Sequence, residues 1–356
     1  MSDKITIYDI AKKLDITAAT VSRALNNNPK ISEKTRKLVL ETAAKMNYKQ
    51  NRLALALKSG KSNNVGVIVP RVDRSFFATV IKGIQDELRP FGYHVIICQT
   101  YDLEEGEIEN IDALLNAQVD GIFMSVSNAM KDTTQLLRIV DKNVPLVFFD
   151  RKKELPGVSS VTINDFEGGY KATEHLIDMG CKKIAHIAGD RSIEIYRDRY
   201  EGYKKALVKN GFKLDENYII EAQSTIEAGK EAANKLLKLK QVPDAIFSSS
   251  DFVALGIIRE LKSRGYSIPN DIAIVGFSNE PFTEFMELTI SSVDQSPLEM
   301  GKIAAQVFLE QVNNPNKLKI EKKVVLPSQL HVRMSSVKNE TSQKKKATKK
   351  PLASRE

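Results

Sequence analysis

From Val65 onward the chain keeps returning to short apolar runs spaced by stretches of helical length. That alternation limits its fold more than any other feature. The runs occupy residues 65–69, 93–98, 121–124, 145–149, 183–188, 245–247 and 272–277, and amphipathic stretches such as 77–89, 167–179 and 252–264 lie between them. A strand apolar on both faces must be covered on both, and the connecting helices of a parallel sheet do this. The stretch is too long for one sheet, so two doubly wound parallel-sheet lobes are expected over residues 63–335, dividing near Thr162–Asp165. Ligands of such folds sit beyond the carboxyl ends of the strands.

Residues 1–48 read as helices without strands. Thr6 is placed as an N-cap with Asp9 as its acidic partner, ahead of Ile7, Ile10, Ala11 and Leu14 on one helical face. Asp15-Ile16 forms a tight turn, and Thr17 caps a second helix over 18–25, broken by Asn26-Asn27-Asn28-Pro29. Ser32 caps a third over 33–46, with Leu38, Ala43 and Met46 available for packing. This is the pattern of an all-α helix-turn-helix head, although a small bundle without a nucleic-acid role shares it. Residues 49–62 suit a short helix closed by Gly60, too short to stand alone, that orders against a partner; a plain linker is the other reading. The lysine-rich end, residues 336–356, is expected to be a basic disordered tail.

Charge is distributed unevenly. The net charge is +8, yet residues 1–64 alone carry 13 Lys/Arg against 5 Asp/Glu, and residues 336–356 carry 7 against 2. The middle holds 33 against 38. A basic head on a mildly acidic body suits a nucleic-acid binder that also senses something else. No apolar run is long enough to span a membrane, and the first residues lack a signal peptide's apolar core, so a cytoplasmic chain with no membrane partner is expected. Cys98 and Cys181 are expected as reduced thiols.

Signatures of catalysis are missing. Ser59-Gly60-Lys61-Ser62 lacks the upstream glycine and strand of a phosphate-binding loop, no G-x-G-x-x-G follows a strand, and no G-x-S-x-G occurs. His94, His175, His186 and His331 lack metal-ligand spacing, so no metal is expected, and His94 and His186 read as core or strand-end residues. No catalytic residue and no cofactor are assigned, and the body reads as a binder.

Thr6-Ile7-Tyr8-Asp9-Ile10-Ala11, Ala19-Thr20-Val21-Ser22-Arg23-Ala24-Leu25-Asn26 and Ile31-Ser32-Glu33-Lys34-Thr35-Arg36 resemble the LacI/GalR family of bacterial repressors. So do Asn47-Tyr48 with Asn51-Arg52-Leu53-Ala54, then Val147-Phe148-Phe149-Asp150-Arg151 and Asp271-Ile272-Ala273-Ile274-Val275-Gly276-Phe277. The likeness covers about residues 5–335, leaving only the basic tail outside it. It implies a homodimer whose paired heads read a pseudo-palindromic double-stranded DNA operator. The tail lacks the leucine heptad of the family's tetramers. The body would resemble two periplasmic-binding-protein-like lobes, one over 63–163 plus 294–324 and the other over 164–293 plus 325–335, closing on a non-covalent small-molecule effector such as a sugar or related metabolite.

By the same resemblance, Ala18, Ala19, Thr20 and Arg23 face base edges. Thr6, Tyr8, Thr17, Ser22, Asn26 and Lys30 contact phosphates, which set register without reading sequence. Arg23 has the bidentate geometry for guanine, though a phosphate contact or an intrahelical ion pair is also open to it. Asn51, Ala54 and Leu57 fall on the family's hinge helix, with Leu57 as a minor-groove wedge or, without DNA, packed on the body. Many members have proline directly before that asparagine, where this chain has Gln50. Effector contacts are assigned to Phe76, Phe77, Asp150, Arg151, Arg199, Ser250, Asp251 and Asn279, with the two phenylalanines also possible as core. Ser278 stands where sugar-binding members often carry aspartate, so no particular member's ligand transfers directly. A cytoplasmic solute-binding protein, an α/β enzyme with a nonspecific basic head and a DNA-compacting protein are the other classes.

Overall fold

The computed structural model describes residues 5–49, 60–127, 130, 133–314 and 321–338. The hinge residues Asn51, Ala54 and Leu57 and the tail from residue 339 lie outside the described residues. The chain divides into two units, Met1–Ser62 and Asn63–Glu356.

The first unit holds α1 (Ile7–Leu14), α2 (Ala18–Leu25) and α3 (Glu33–Lys45). Asp9 reaches back to accept both the amide (2.8 Å) and the hydroxyl (2.7 Å) of Thr6, which holds its carboxyl below the usual range. The Thr17 hydroxyl accepts the Thr20 amide at 3.2 Å, and Ser32 does the same for Thr35 at 3.3 Å. Asp15 closes α1 in the left-handed conformation, φ 50°, a turn that aspartate tolerates better than most residues. Ile10, Ala11, Val21, Ala24, Val39 and Ala43 form the core. Leu38, expected to pack, is half exposed; Val39 takes the inward face of α3 and Leu38 points away from it.

In the second unit β1 (Asn64–Val69), α4 (Ser75–Leu88), β2 (His94–Gln99), α5 (Glu104–Asn116), β3 (Ile122–Met124), α6 (Thr134–Asp141), β4 (Leu146–Phe149) and β5 (Ser159–Ile163) build one lobe. Then α7 (Asp165–Asp178), β6 (Ile184–Ala188), α8 (Glu194–Lys209), β7 (Ile219–Glu221), α9 (Ile226–Leu237), β8 (Ala245–Ser248), α10 (Asp251–Ser263), β9 (Ala273–Phe277), α11 (Phe282–Phe285) and β10 (Ser291–Asp294) build the other. The chain returns through α12 (Pro297–Val312) and β11 (Lys323–Leu326), then crosses once more to β12 (Gln329–His331). The strand orders are β11-β5-β4-β3-β1-β2 and β12-β10-β9-β8-β6-β7. Both sheets are parallel except for the antiparallel β12 edge. Each therefore reverses its winding beside its first strand, β1 or β6, which opens a crevice at the strands' carboxyl ends.

Three boundaries differ from the sequence reading. Val325 and Leu326 pair with β5 and belong to the first lobe, whereas Asp294 belongs to the second. Ser336 is not part of a loose tail. It is fully buried, its hydroxyl 2.7 Å from His175 Nε2 and 2.6 Å from Ser291 Oγ.

Three helix pairs meet through reciprocal glycines: Gly83 and Gly301 join α4 to α12, Gly169 and Gly202 join α7 to α8, and Gly229 and Gly256 join α9 to α10. At each, an added Cβ would collide with a backbone carbonyl of the facing helix. Gly169 lies against the Arg199 carbonyl, so this contact sets where Arg199 stands. We expect Gly169→Ala to cost about 1–3 kcal/mol by forcing these helices apart. Urea denaturation checks this, and wild-type stability would mean that the pair yields without strain.

Candidate nucleic-acid interface and ligand cleft

On α2 the buried positions Val21 and Ala24 face the core, while Ala19, Arg23 and Asn26 share the exposed side. Arg23 is exposed, with its side chain on the face turned away from the core. Thr6, Tyr8, Thr17 and Lys30 are exposed, Tyr8 at 72%. Thr20 and Ser22 are half-buried. Several of these groups already have local tasks. The Asn26 amide donates to the Ser22 carbonyl at 2.8 Å, and Thr17 and Thr20 share a 2.9 Å hydroxyl contact. Ala18 packs against the core, leaving Ala19 as the more open of the two alanines.

The second unit holds a cleft of about 580 Å³ between its lobes. Of the assigned effector residues, Phe76, Phe77, Asp150, Arg151, Arg199 and Ser250 line it. Asp251 and Asn279 do not. Asp251 is fully buried, accepting the Glu280 amide at 2.8 Å and the Ser292 hydroxyl at 2.7 Å, and burial pushes its carboxyl up to about 7. It ties α10 to the turn after β9 and to β10. The Asn279 amide donates to Asp294 at 2.7 Å and its oxygen accepts from Arg333 at 2.8 Å, so it too is spent on structure. Its neighbours Ser278 and Glu280 line the cleft instead.

Arg199, only 3% exposed, donates through Nε to Asp165 Oδ1 at 2.7 Å and through a terminal nitrogen to the Ser249 carbonyl at 3.0 Å. Its guanidinium lies 3.6 Å from the Phe277 ring centroid. Burial raises the Asp165 carboxyl, against the pull of Arg199. From the first lobe, Asp150 stands at the end of β4 with φ 60° and accepts the Ser125 hydroxyl at 3.0 Å. Burial raises its carboxyl, and Arg151 and Arg199 hold it down. Arg151 pairs with Asp102 at 2.7 Å. Opposite lobes thus contribute a carboxylate and a guanidinium to one cleft, with Phe76, Phe77, Tyr101, Tyr196 and Phe252 as apolar walls. Such a set can hold a polar ring by hydrogen bonds at its edge and apolar contact on its face.

Sequence reading missed Arg71, Arg74, Tyr101, Asp102, Tyr196, Gln223, Phe252, Glu280 and Gln295 in this lining. Most follow directly after a strand or open the next helix. Counting one to six residues beyond each apolar run would have flagged several of them. His186 is fully buried, stacked 4.7 Å from Phe247 and 5.0 Å from Tyr203, and burial holds it down at about 3, hence neutral. His94 is exposed at the start of β2. Cys98 and Cys181 are free thiols. Among the described residues no cluster could hold a metal ion, and no helix is long and apolar enough to cross a membrane.

Comparison with known proteins places both units. Residues 6–51 match the family model of bacterial regulatory proteins, lacI family, and residues 62–329 match that of periplasmic binding proteins and the sugar binding domain of the LacI family. Catabolite control protein A of Priestia megaterium is 33% identical over 334 residues, 93% of this chain and 99% of the relative. The HTH-type transcriptional regulator DegA of Bacillus subtilis (strain 168) is 34% identical over 94% of this chain and 98% of its own length. Among solved structures, the complex of the transcriptional regulator CelR with cellobiose superposes with a TM-score of 0.71 at 26% identity, covering 93% of this chain and 99% of that one. The lac repressor dimer bound to operator and an anti-inducer shares the fold, with a TM-score of 0.84 at 23% identity over 94% of this chain and 100% of that one. These relatives are transcriptional regulators rather than enzymes, and the enzyme and DNA-compacting readings fall away. The chain belongs to the LacI family of bacterial regulatory proteins, a DNA-binding transcriptional regulator that joins a helix-turn-helix head to a two-lobed, periplasmic-binding-protein-like ligand domain.

Proposed function

We propose that the protein is a cytoplasmic repressor that binds a pseudo-palindromic operator as a homodimer and changes its operator affinity when a sugar or related metabolite occupies the cleft. The observation that carries the effector half is the pairing of Asp150 from one lobe with Arg199 from the other on a single aromatic-walled cleft. A ligand bonded to both binds the closed arrangement more tightly than the open one. It therefore shifts the population toward closure by its difference in affinity for the two. Two solved relatives, one in complex with cellobiose and one with bound ribose, support a sugar as the class of ligand.

In the head, α2 enters the major groove. Ala19 and Arg23 read base edges, Ala18 and Thr20 support that face, and Thr6, Tyr8, Thr17, Ser22, Asn26 and Lys30 serve the phosphates. Asn51, Ala54 and Leu57 enter the proposal on sequence alone, with Leu57 as the minor-groove wedge. The decisive experiment is capture of fragmented host genomic DNA by the purified protein near physiological salt, since dilute buffer exaggerates phosphate affinity. Sharp peaks sharing a pseudo-palindrome are expected. A flat profile both with and without added sugars would remove the repressor reading.

Two substitutions test the assigned residues. Arg23→Ala should weaken operator binding by ~1–3 kcal/mol and relax the preference at one base pair per half-site, while leaving affinity for random DNA nearly intact. Equal losses on both DNAs in fluorescence anisotropy would make Arg23 a phosphate contact. Truncating Arg199 would strand the buried Asp165 and cost about 3–5 kcal/mol of stability, so the cleaner probe of the cleft is Asp150→Asn. It keeps the shape and an acceptor for Ser125 while removing the charge. Sugar affinity by calorimetry should fall by ~1.5–3 kcal/mol, and an unchanged affinity would take Asp150 out of the site.

A further inference from the structure

Helix α4 begins at the cleft without an acidic cap of its own, since Asp73, just ahead of its N-cap residue, is taken up by Arg71. Arg74, its N-cap residue, makes no side-chain capping bond, and its first turn contains no acidic residue. The exposed amides of a helix start favour a negative group, whether that group belongs to a ligand or to the protein. Here the opposite lobe brings one. Glu280, 5% exposed on the turn after β9, accepts a hydrogen bond from the hydroxyl of Ser75, the first residue of α4. Next to it Arg74 reaches across to donate to the Ser224 carbonyl at 3.0 Å and lies 3.9 Å from the centroid of the Phe252 ring. Both partners of Arg74 belong to the second lobe.

We infer that Glu280, docked on the start of α4 with Arg74 clamped on Ser224 and Phe252, is a latch that holds the two lobes together before any effector arrives. The carboxylate serves as the missing N-terminal anion of a helix in the other lobe, so opening the cleft removes a cap as well as a hydrogen bond. Burial raises the Glu280 carboxyl while Ser75 and Arg74 hold it down, consistent with a charge that needs its neighbours. Glu280 itself is fixed from below, because its amide donates to Asp251. The turn is therefore anchored to the second lobe and pulls on the first. On this basis the effector does not close an open cleft unaided. It adds to a standing bias, and its apparent affinity depends on how far the latch has already populated the closed state.

The consequence for effector affinity rests on the cleft being the effector site, but the latch does not. The test uses full-length protein without DNA or sugar, as dimers carrying one protomer with dyes attached through unnatural amino acids at the exposed Glu109 of the first lobe and Lys235 of the second. Single-molecule energy transfer then reports the distance between lobes. Wild-type protein should show one dominant population. Ser75→Ala and Glu280→Gln, which disturb the same contact from opposite lobes, should each raise the fraction in a second, distinct population at least fivefold. Ser75→Ala removes only a hydroxyl, which keeps the test valid should the Glu280 variant fold poorly. Unchanged distributions in Ser75→Ala and in every folded Glu280 variant would overturn the latch while leaving the sugar and operator experiments untouched.

Discussion

Burying a guanidinium is the constraint from which the cleft follows. Taking a charge out of water costs several kcal/mol unless close partners replace the lost hydration. Arg199 meets that demand with Asp165 at the start of α7, the Ser249 carbonyl after β8 and the face of Phe277 in β9. Three separate segments must therefore arrive at one point: Ser249 and Phe277 stand at the carboxyl ends of β8 and β9, and Asp165 opens α7 just after the chain crosses over from β5. The Gly169 and Gly202 contact fixes the height of α8 against α7, and with it the reach of the side chain. Arg199 is thus first a structural residue. The place in ligand binding proposed for it is an added use of a group already held rigid.

Much of this was legible in the sequence, for identifiable reasons. All seven apolar runs became strands; six are buried on both faces and so have no polar side to obscure the signal, whereas β2 is an edge strand with Ile97 half exposed. Of the strands that escaped notice, β7, β11 and β12 are short strands at sheet edges, and the other two are of another kind. Ser159–Ile163 and Ser291–Asp294 are rich in serine, yet the first four of the former and the first three of the latter include fully buried hydroxyl residues. Ser291 bonds to Arg333 and Ser336, and Ser292 to Asp251, so each hydroxyl is satisfied inside the protein. Periodicity cannot reveal a polar residue whose partner lies more than 40 residues away.

The same limit explains the misassigned site residues. Asp251 and Asn279 carry the right chemistry next to the right strands, and neighbouring Ser250, Ser278 and Glu280 do line the cleft. What sequence cannot supply is direction. At the start of a helix, a one-residue step turns a side chain by about 100°. In a tight turn with positive φ, as at Ser278 and Asn279, the change is less regular still. Asp251 consequently points down into the packing below the cleft, while its neighbour Ser250 faces the opening.

Two rigid lobes joined by three short crossings have few ways to move relative to each other, which suits a sensor. A continuous apolar cluster runs through both lobes, from Val65 and Phe149 to Phe247 and Phe277, so motion near the crossings must preserve that packing. The freedom left is a hinge about the crossings, and its equilibrium is set by the groups that meet across the cleft. Those groups differ in kind. Arg74 and Glu280 touch the other lobe directly, whereas Asp150 and Arg199 face a space that a ligand can fill. Direct contacts set the resting balance, and ligand contacts shift it by no more than their difference between the two arrangements. Because interface packing favours discrete states over continuous bending, even a modest difference of this sort yields a switch between two arrangements.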